Sequence, residues 1–142
     1  LIKDIKEISN QEIRNLIEGK EIDVIIGGPP CQGFSMAGNI GRSFVDDERN
    51  YLFREFLRFV EIIKPKMFVM ENVSRMVSHN KGKTIQEIKR KFELIGYNVQ
   101  VKILQASDYG VPQKRQRMIM VGDTGQFFKY PEGVKNEISV FE

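Results

Sequence analysis

Short apolar runs alternate with amphipathic stretches along this chain, and that alternation restricts the fold more than any other feature. Ile22-Asp23-Val24-Ile25-Ile26 is a β-branched run closed by Gly27-Gly28-Pro29-Pro30, which predicts a buried strand meeting a stiff loop. Leu52, Phe56, Phe59, Val60 and Ile63 recur at helical spacing on one face, and Pro65 stops that helix. Met67-Phe68-Val69-Met70 predicts a second buried strand with Glu71 and Asn72 at its carboxyl end. Ile85, Ile88, Phe92 and Ile95 line a further helix that ends at Gly96, and two more strands fall near Asn98–Leu104 and Arg117–Val121. Two S/T-x-x-E capping boxes, Ser9 with Glu12 and Thr84 with Glu87, mark helix starts; the first helix is expected from about Asn10 to Glu18, before Gly19. Strands alternating with helices predict an α/β fold, a parallel or mixed sheet with helices on both faces. Ligands of such sheets bind beyond the carboxyl ends of the strands. Cys31 and Glu71 both fall there.

Composition narrows the class of partner. Of 142 residues, 41% are hydrophobic and 29% charged, ordinary for a globular domain and too balanced for a disordered or fibrous chain. Apolar runs stop well short of the roughly 20 residues a membrane-spanning helix needs, so no membrane partner is expected. The single cysteine excludes an intramolecular disulfide framework and a zinc cluster, and fits a reducing compartment such as the cytoplasm. Residues 71–142 carry twelve bases against eight acids, a surplus that suits a polyanion or a solvated face. The chain opens on Leu1-Ile2-Lys3 rather than methionine and loses periodicity after Gln126, so it reads as the interior of a longer protein.

Three groups carry chemistry. A lone cysteine is by default a small buried hydrophobe, but Cys31 follows two glycines and two prolines at a strand end. A rigid, uncharged turn there holds a side chain out, and nearby arginines would favour its thiolate. Glu71 ends an apolar strand, where its carboxylate is either partly desolvated or simply hydrated. In Gln113-Lys114-Arg115-Gln116-Arg117, alternate residues of a strand would project Gln113, Arg115 and Arg117 to one face. Two arginines beside a buried strand call for a carboxylate, a phosphate or a base edge; a solvated edge strand with defensive charges is the other reading. His79, in a polar loop, is expected to be exposed and incidental. No metal site is expected.

Gly27-Gly28-Pro29-Pro30-Cys31-Gln32-Gly33-Phe34-Ser35, then Glu71-Asn72-Val73, then Gln113-x-Arg115-x-Arg117 resemble, in order, the signature blocks of the DNA (cytosine-5)-methyltransferases. The resemblance extends to Asp47-x-Arg49-x-x-Leu52 and to Ala106-x-Asp108-Tyr109-Gly110-Val111-Pro112-Gln113, covering about Asp4 to Gly122. It implies a partial Rossmann-like S-adenosylmethionine-dependent methyltransferase fold. It implies transfer of a methyl group from S-adenosyl-L-methionine to C5 of a flipped cytosine in double-stranded DNA, in a bacterial restriction–modification system.

By the same resemblance Cys31 is the nucleophile that adds to cytosine C6, and Glu71 is the partner of N3. Arg117 contacts O2, and Arg115 braces the site. The Pro29 carbonyl accepts from the exocyclic amine, and Gln32, Ser35 and Asn72 belong to the substrate side. Arg42 and Arg49, in the loop over residues 33–50, are the phosphate contacts, while Asp4, Pro30 and Leu52 match cofactor neighbours. The family's glycine-rich first block, its ribose-binding acid, its target-recognition region and its closing helix have no counterpart here. Residues 1–125 are therefore expected to be the catalytic part of the large domain, and 126–142 the start of a connection to a target-recognition domain. The segment by itself is expected to be inactive, its completion coming from missing segments or a second chain. A non-catalytic DNA-binding or scaffold subunit of a split enzyme, and an RNA cytosine methylase, remain alternatives.

Overall fold

The computed structural model describes residues 3–30, 50–125 and 128–134. A 3-10 turn at Ile5–Glu7 leads into α1 (Asn10–Leu16), followed by β1 (Val24–Gly27), α2 (Tyr51–Ile63), β2 (Met67–Val73), α3 (Lys83–Leu94), β3 (Asn98–Gln105) and β4 (Gln116–Asp123). The strands form one mixed sheet in the order β1-β2-β4-β3. β1 and β2 run parallel, with Gly27 opposite Met70, and the other two pairings are antiparallel.

The Ser9–Glu12 capping box forms as expected. Ser9 Oγ accepts from the Glu12 N–H at 3.2 Å, and the Glu12 carboxylate accepts from the Ser9 N–H at 2.8 Å. The Lys3 ammonium also donates to Glu12, and these bonds hold the carboxyl at about 2. Because the folded value lies below that of the unfolded chain, the stabilisation is complete above the ordinary carboxylate range and is lost as pH falls toward 2. An NMR titration of the Glu12 side chain is expected to give a midpoint near 2; an ordinary glutamate midpoint would mean that the box does not persist in solution.

The second box does not form. Gly82, at φ +82°, caps α3 without a side-chain hydrogen bond, and Thr84 lies inside the helix, buried. Its hydroxyl faces His79 Nδ1 at 2.7 Å, so the histidine is a half-buried partner of the α3 start rather than an incidental side chain. Local spacing cannot distinguish a threonine that caps from one whose oxygen is taken by a neighbouring loop.

Alternation along β2 sends Phe68, Met70 and Asn72 to one face and Val69 and Glu71 to the other. The first face carries the core. The Phe68 ring lies 4.1 Å from that of Phe92 on α3, 5.3 Å from Tyr97 and 6.0 Å from Phe56 on α2. Met118 and Met120 of β4 complete the cluster. Of the expected row Leu52, Phe56, Phe59, Val60 and Ile63, α2 buries Phe56 and Val60, and Phe53 joins them. Leu52 and Phe59 are left half-buried on an adjoining stripe.

The expected buried strand Ile22–Ile26 is instead the short β1, whose outer edge meets no other strand among the described residues. Val24 and Ile26 are accordingly exposed, Ile26 by 76%. On the sheet face opposite the aromatic core lies the segment 128–134. Gln100 Nε2 donates to the Phe128 carbonyl at 3.0 Å, and the Tyr130 hydroxyl donates to the Ile119 carbonyl at 2.8 Å. No described helix is long and apolar enough to cross a membrane.

Candidate active site

Two adjacent parallel strands bring their carboxyl ends together, which places the Gly28–Pro30 turn beside Glu71 and Asn72. The two side chains leave β2 in opposite directions. Asn72 turns toward the core and is buried; its Nδ2 donates to the Pro29 carbonyl at 2.8 Å, and its Oδ1 accepts from the Val73 N–H at 2.9 Å. The amide thereby ties the turn after β1 to the end of β2.

Glu71 turns to the other face. Its Oε1 lies 2.6 Å from Arg117 Nε, and the register explains why. Val73 is opposite Arg117 and Glu71 opposite Ile119, so the ion pair spans a cross-strand diagonal, within reach of long side chains. Arg117 Nη1 also donates to the Gln116 carbonyl at 2.8 Å. The second neighbour of the carboxylate is backbone: a Cβ built on Gly28 would stand 3.4 Å from Glu71 Oε2. The Glu71 side chain is 43% exposed, which decides between the two readings of this residue. The carboxylate is paired and open to water rather than desolvated.

Arg115 does not join Arg117 in one strand row. β4 begins at Gln116, and the preceding residues form a turn: the Gln113 N–H donates to the Val111 carbonyl at 2.7 Å, and the Arg115 N–H to the Gln113 carbonyl at 2.9 Å. The departure from strand geometry begins at the 3-10 turn Ala106–Tyr109, which Gly110 closes at φ +83°, and Pro112 lacks a ladder donor. Arg115 and Gln113 are both exposed. Cys31, Gln32, Ser35, Arg42 and Arg49 lie outside the described residues.

A cleft of about 310 Å³ opens on the outer side of β1, between the turn at Ile5–Glu7 and α2. Pro30 and Leu52 both line it, together with Ile5, Ile26, Phe56 and Phe59. Asp4 is the neighbour of Ile5, and its Oδ1 accepts from the Lys6 N–H at 3.0 Å, capping the turn. Gly27 allows the Phe56 ring to form the inner wall, since a Cβ there would meet that ring at 2.6 Å. The lining is apolar throughout, which fits a flat heterocyclic ring and offers no charged partner for a polar tail. Sequence reasoning missed Ile5, Ile26 and Phe59 as cleft residues. The signal for them was the second apolar stripe of α2, set beside a strand with an uncovered edge. Among the described residues no cluster of His, Cys, Asp or Glu is placed to hold a metal ion.

The fold matches solved methyltransferases. A crystal structure assigned as a DNA modification methyltransferase, encoded within an Escherichia coli prophage, superposes with a TM-score of 0.71 at 26% identity, over 96% of this chain and 38% of that one. Dnmt2 methyltransferase of Schizosaccharomyces pombe gives a TM-score of 0.64 at 20% identity, over 99% and 39%. Residues 2–138 match the family described as C-5 cytosine-specific DNA methylase, and the chain belongs to that family. Type II methyltransferase M1.HphI of Haemophilus parahaemolyticus is 52% identical over 134 residues, 93% of this chain and 36% of its own length. Type II methyltransferase M.AquIA of a Picosynechococcus strain is 44% identical over 140 residues, 91% of this chain and 56% of its own length. The chain thus spans between a third and somewhat over half of these two relatives.

Proposed function

We propose that the protein carrying this chain methylates C5 of cytosine in double-stranded DNA, as the modification enzyme of a restriction–modification system. The observation that supports this best is the Glu71 carboxylate, set between Gly28 and Arg117 at the carboxyl ends of β1 and β2. Cys31 follows that same turn in sequence.

Cytosine C5 is a weak nucleophile until charge enters the ring. The Cys31 thiolate forms a bond to C6, and the electron pair displaced from the C5=C6 bond makes C5 nucleophilic. Once the base lies over the open carboxylate and excludes water from it, Glu71 shares a proton with N3, and that proton makes C6 electrophilic enough to be attacked. N3 and O2 are neighbours on one edge of the base, and Glu71 and Arg117 are neighbours at the strand ends, so the pair complements that edge. The Pro29 carbonyl, steadied by Asn72, accepts from the exocyclic amine and so distinguishes cytosine from uracil and thymine.

When bound, S-adenosyl-L-methionine supplies an electrophilic methyl group. Ile5, Pro30, Leu52 and Phe59 would hold its adenine end, the flat apolar part that their cleft fits. Loss of the C5 proton to water, expulsion of the Cys31 thiolate and return of the N3 proton to Glu71 then restore the neutral aromatic ring. The target base has to leave the helical stack to meet these groups, at a cost of a few kcal/mol. Arg42 and Arg49 hold the DNA phosphates, Gln32 and Ser35 belong to the same loop, and Arg115 supports the site from the turn before β4. Residues 1–125 form the catalytic unit, and 126–142 lead toward the region that reads the target sequence.

Covalent trapping tests this reading. Duplex DNA carrying 5-fluorocytosine cannot lose a proton from C5, so the adduct with the full-length protein is expected to persist in the presence of S-adenosyl-L-methionine. Cys31→Ser is expected to abolish it. If the unaltered protein binds its target DNA yet forms no adduct, the scaffold-subunit reading replaces this one; an adduct formed only with RNA would move the substrate to that class.

A further inference from the structure

We propose that Arg58, on α2, is a positioning residue for the cofactor cleft, joining its two walls through a single guanidinium. This rests on the reading that the cleft takes the adenine end of S-adenosyl-L-methionine. One wall is the turn that carries Ile5; the other is α2, which carries Phe59.

The residues before α1 belong to no strand of the sheet. Arg58 reaches across to them. Nη2 donates to the Ile5 carbonyl at 3.2 Å and to the Ile8 carbonyl at 3.0 Å, and Nη1 donates to Asn10 Oδ1 at 2.6 Å. Nε donates to Glu55 Oε2 at 2.9 Å, one turn back on the same helix, and Nη2 also donates to that oxygen, which leaves its second hydrogen shared between the Ile5 and Ile8 carbonyls. The guanidinium carbon stands 5.1 Å from the centroid of the Phe59 ring. Three of these acceptors lie in the N-terminal segment and one on α2, while the ring beside the cation is itself a cleft wall.

The residue type follows from that geometry. Arginine offers donors in a rigid planar fork, whereas a lysine ammonium is a compact point charge that cannot serve the same spread of acceptors. Glu55 fixes the fork from the helix side, so the position of Ile5 is set by α2 rather than by the flanking chain. The Lys6 ammonium, 4.4 Å above the Tyr51 ring, adds a second tie between the same two elements. Burial of Ile8 and Ile13 fastens the segment to the body of the protein. That apolar anchoring leaves to Arg58 the height at which Ile5 meets the cleft.

The test uses the full-length methyltransferase with Arg58→Lys, Arg58→Ala and Leu52→Asp, the last altering the cleft without touching the clamp. Arg58→Ala is expected to raise the Kd and KM for S-adenosyl-L-methionine about tenfold, as the loss of charged hydrogen bonds predicts. kcat at saturating cofactor and the KM for DNA should stay within about twofold, a ratio well inside that tenfold scale. Arg58→Lys is expected to fall between wild type and Arg58→Ala. A purely structural role would instead lower kcat and the bound fraction together, in step with the folded fraction seen by circular dichroism, and that outcome overturns the proposal. Unchanged cofactor affinity in both Arg58 variants, with affinity lost in Leu52→Asp, also overturns it while leaving the cleft assignment intact. Unchanged affinity in Leu52→Asp removes the cleft assignment itself, and the inference with it.

Discussion

Under the proposed mechanism, Glu71→Gln in the full-length protein is expected to lower kcat by about 10²–10⁴-fold, the range that a positioned proton-transfer group contributes. The substitution keeps size and shape and removes the ability to hold a proton for N3. Its cost in stability is expected to be small. The Glu71–Arg117 pair is 43% and 28% exposed on its two sides, and a pair so open to water contributes about 0–1 kcal/mol. Arg117 keeps its bond to the Gln116 carbonyl and is not left as a buried charge. DNA affinity is expected to change little, because in the proposed mechanism the carboxylate would meet no part of the DNA besides the flipped base.

Rate, melting temperature and DNA dissociation constant should therefore separate, and stopped-flow adduct formation on the 5-fluorocytosine duplex should show the defect at the first covalent step. A Glu71→Gln protein whose kcat stays within threefold of wild type would remove the carboxylate from the chemistry. It would leave Glu71 as no more than the partner that orients Arg117.

How much of this site was legible beforehand depended on the kind of signal each residue sends. Glu71 and Asn72 could be placed at the end of a strand because an apolar run of four residues leads straight into them. Their opposite directions follow from strand alternation alone. The Glu71–Arg117 contact could not be derived this way: it depends on the register of β2 against β4, residues 46 apart in sequence, and no local pattern specifies register between distant strands. Arg115 was set in line with Arg117 because alternate positions invite it, yet Gly110 and Pro112 bend the chain, and Arg115, whose carbonyl accepts from the Ala106 N–H at 2.9 Å, still lies ahead of β4.

The helices show the same division. Ser9 and Glu12 cap α1 because both partners are local, whereas Thr84 looked like a cap and proved to be a partner of His79. In α2 the repeat from Leu52 to Ile63 located the helix correctly but not its rotation about its own axis. The helix has two apolar stripes, one toward Phe68 and Phe92 and one toward the cleft, and a single periodicity cannot assign them. β1 was expected to be buried because its composition is that of a central strand; that expectation depends on a neighbour on each side, and among the described residues only β2 pairs with it.

Gly122→Ala is expected to destabilise the full-length protein by about 3 kcal/mol, the upper end of the usual cost of overpacking a core. Gly122 is the penultimate residue of β4 and lies opposite Phe68 in the register. An added Cβ would stand 2.0 Å from Phe68 Cε1 and 2.5 Å from Cζ, so the ring occupies the place a side chain would take. Movement of that ring is opposed on every side, by Phe92 at 4.1 Å, Tyr97 at 5.3 Å and Phe56 at 6.0 Å. Val99 of β3 stands across from Gly122 on the other flank and is buried too. The strain must therefore reach the whole aromatic cluster, which joins α2 and α3 to the sheet. Because the clash is with one named ring, shortening that ring should relieve part of it. Phe68→Leu alone leaves a cavity and costs stability, yet the double variant should be less destabilised than the sum of the two single ones, with a coupling on the order of 1 kcal/mol or more. Urea unfolding of the four proteins measures the cycle. Strict additivity, or a Gly122→Ala protein as stable as wild type, would mean that β4 can slide away from Phe68 and that the ring does not fix the sheet against its helices.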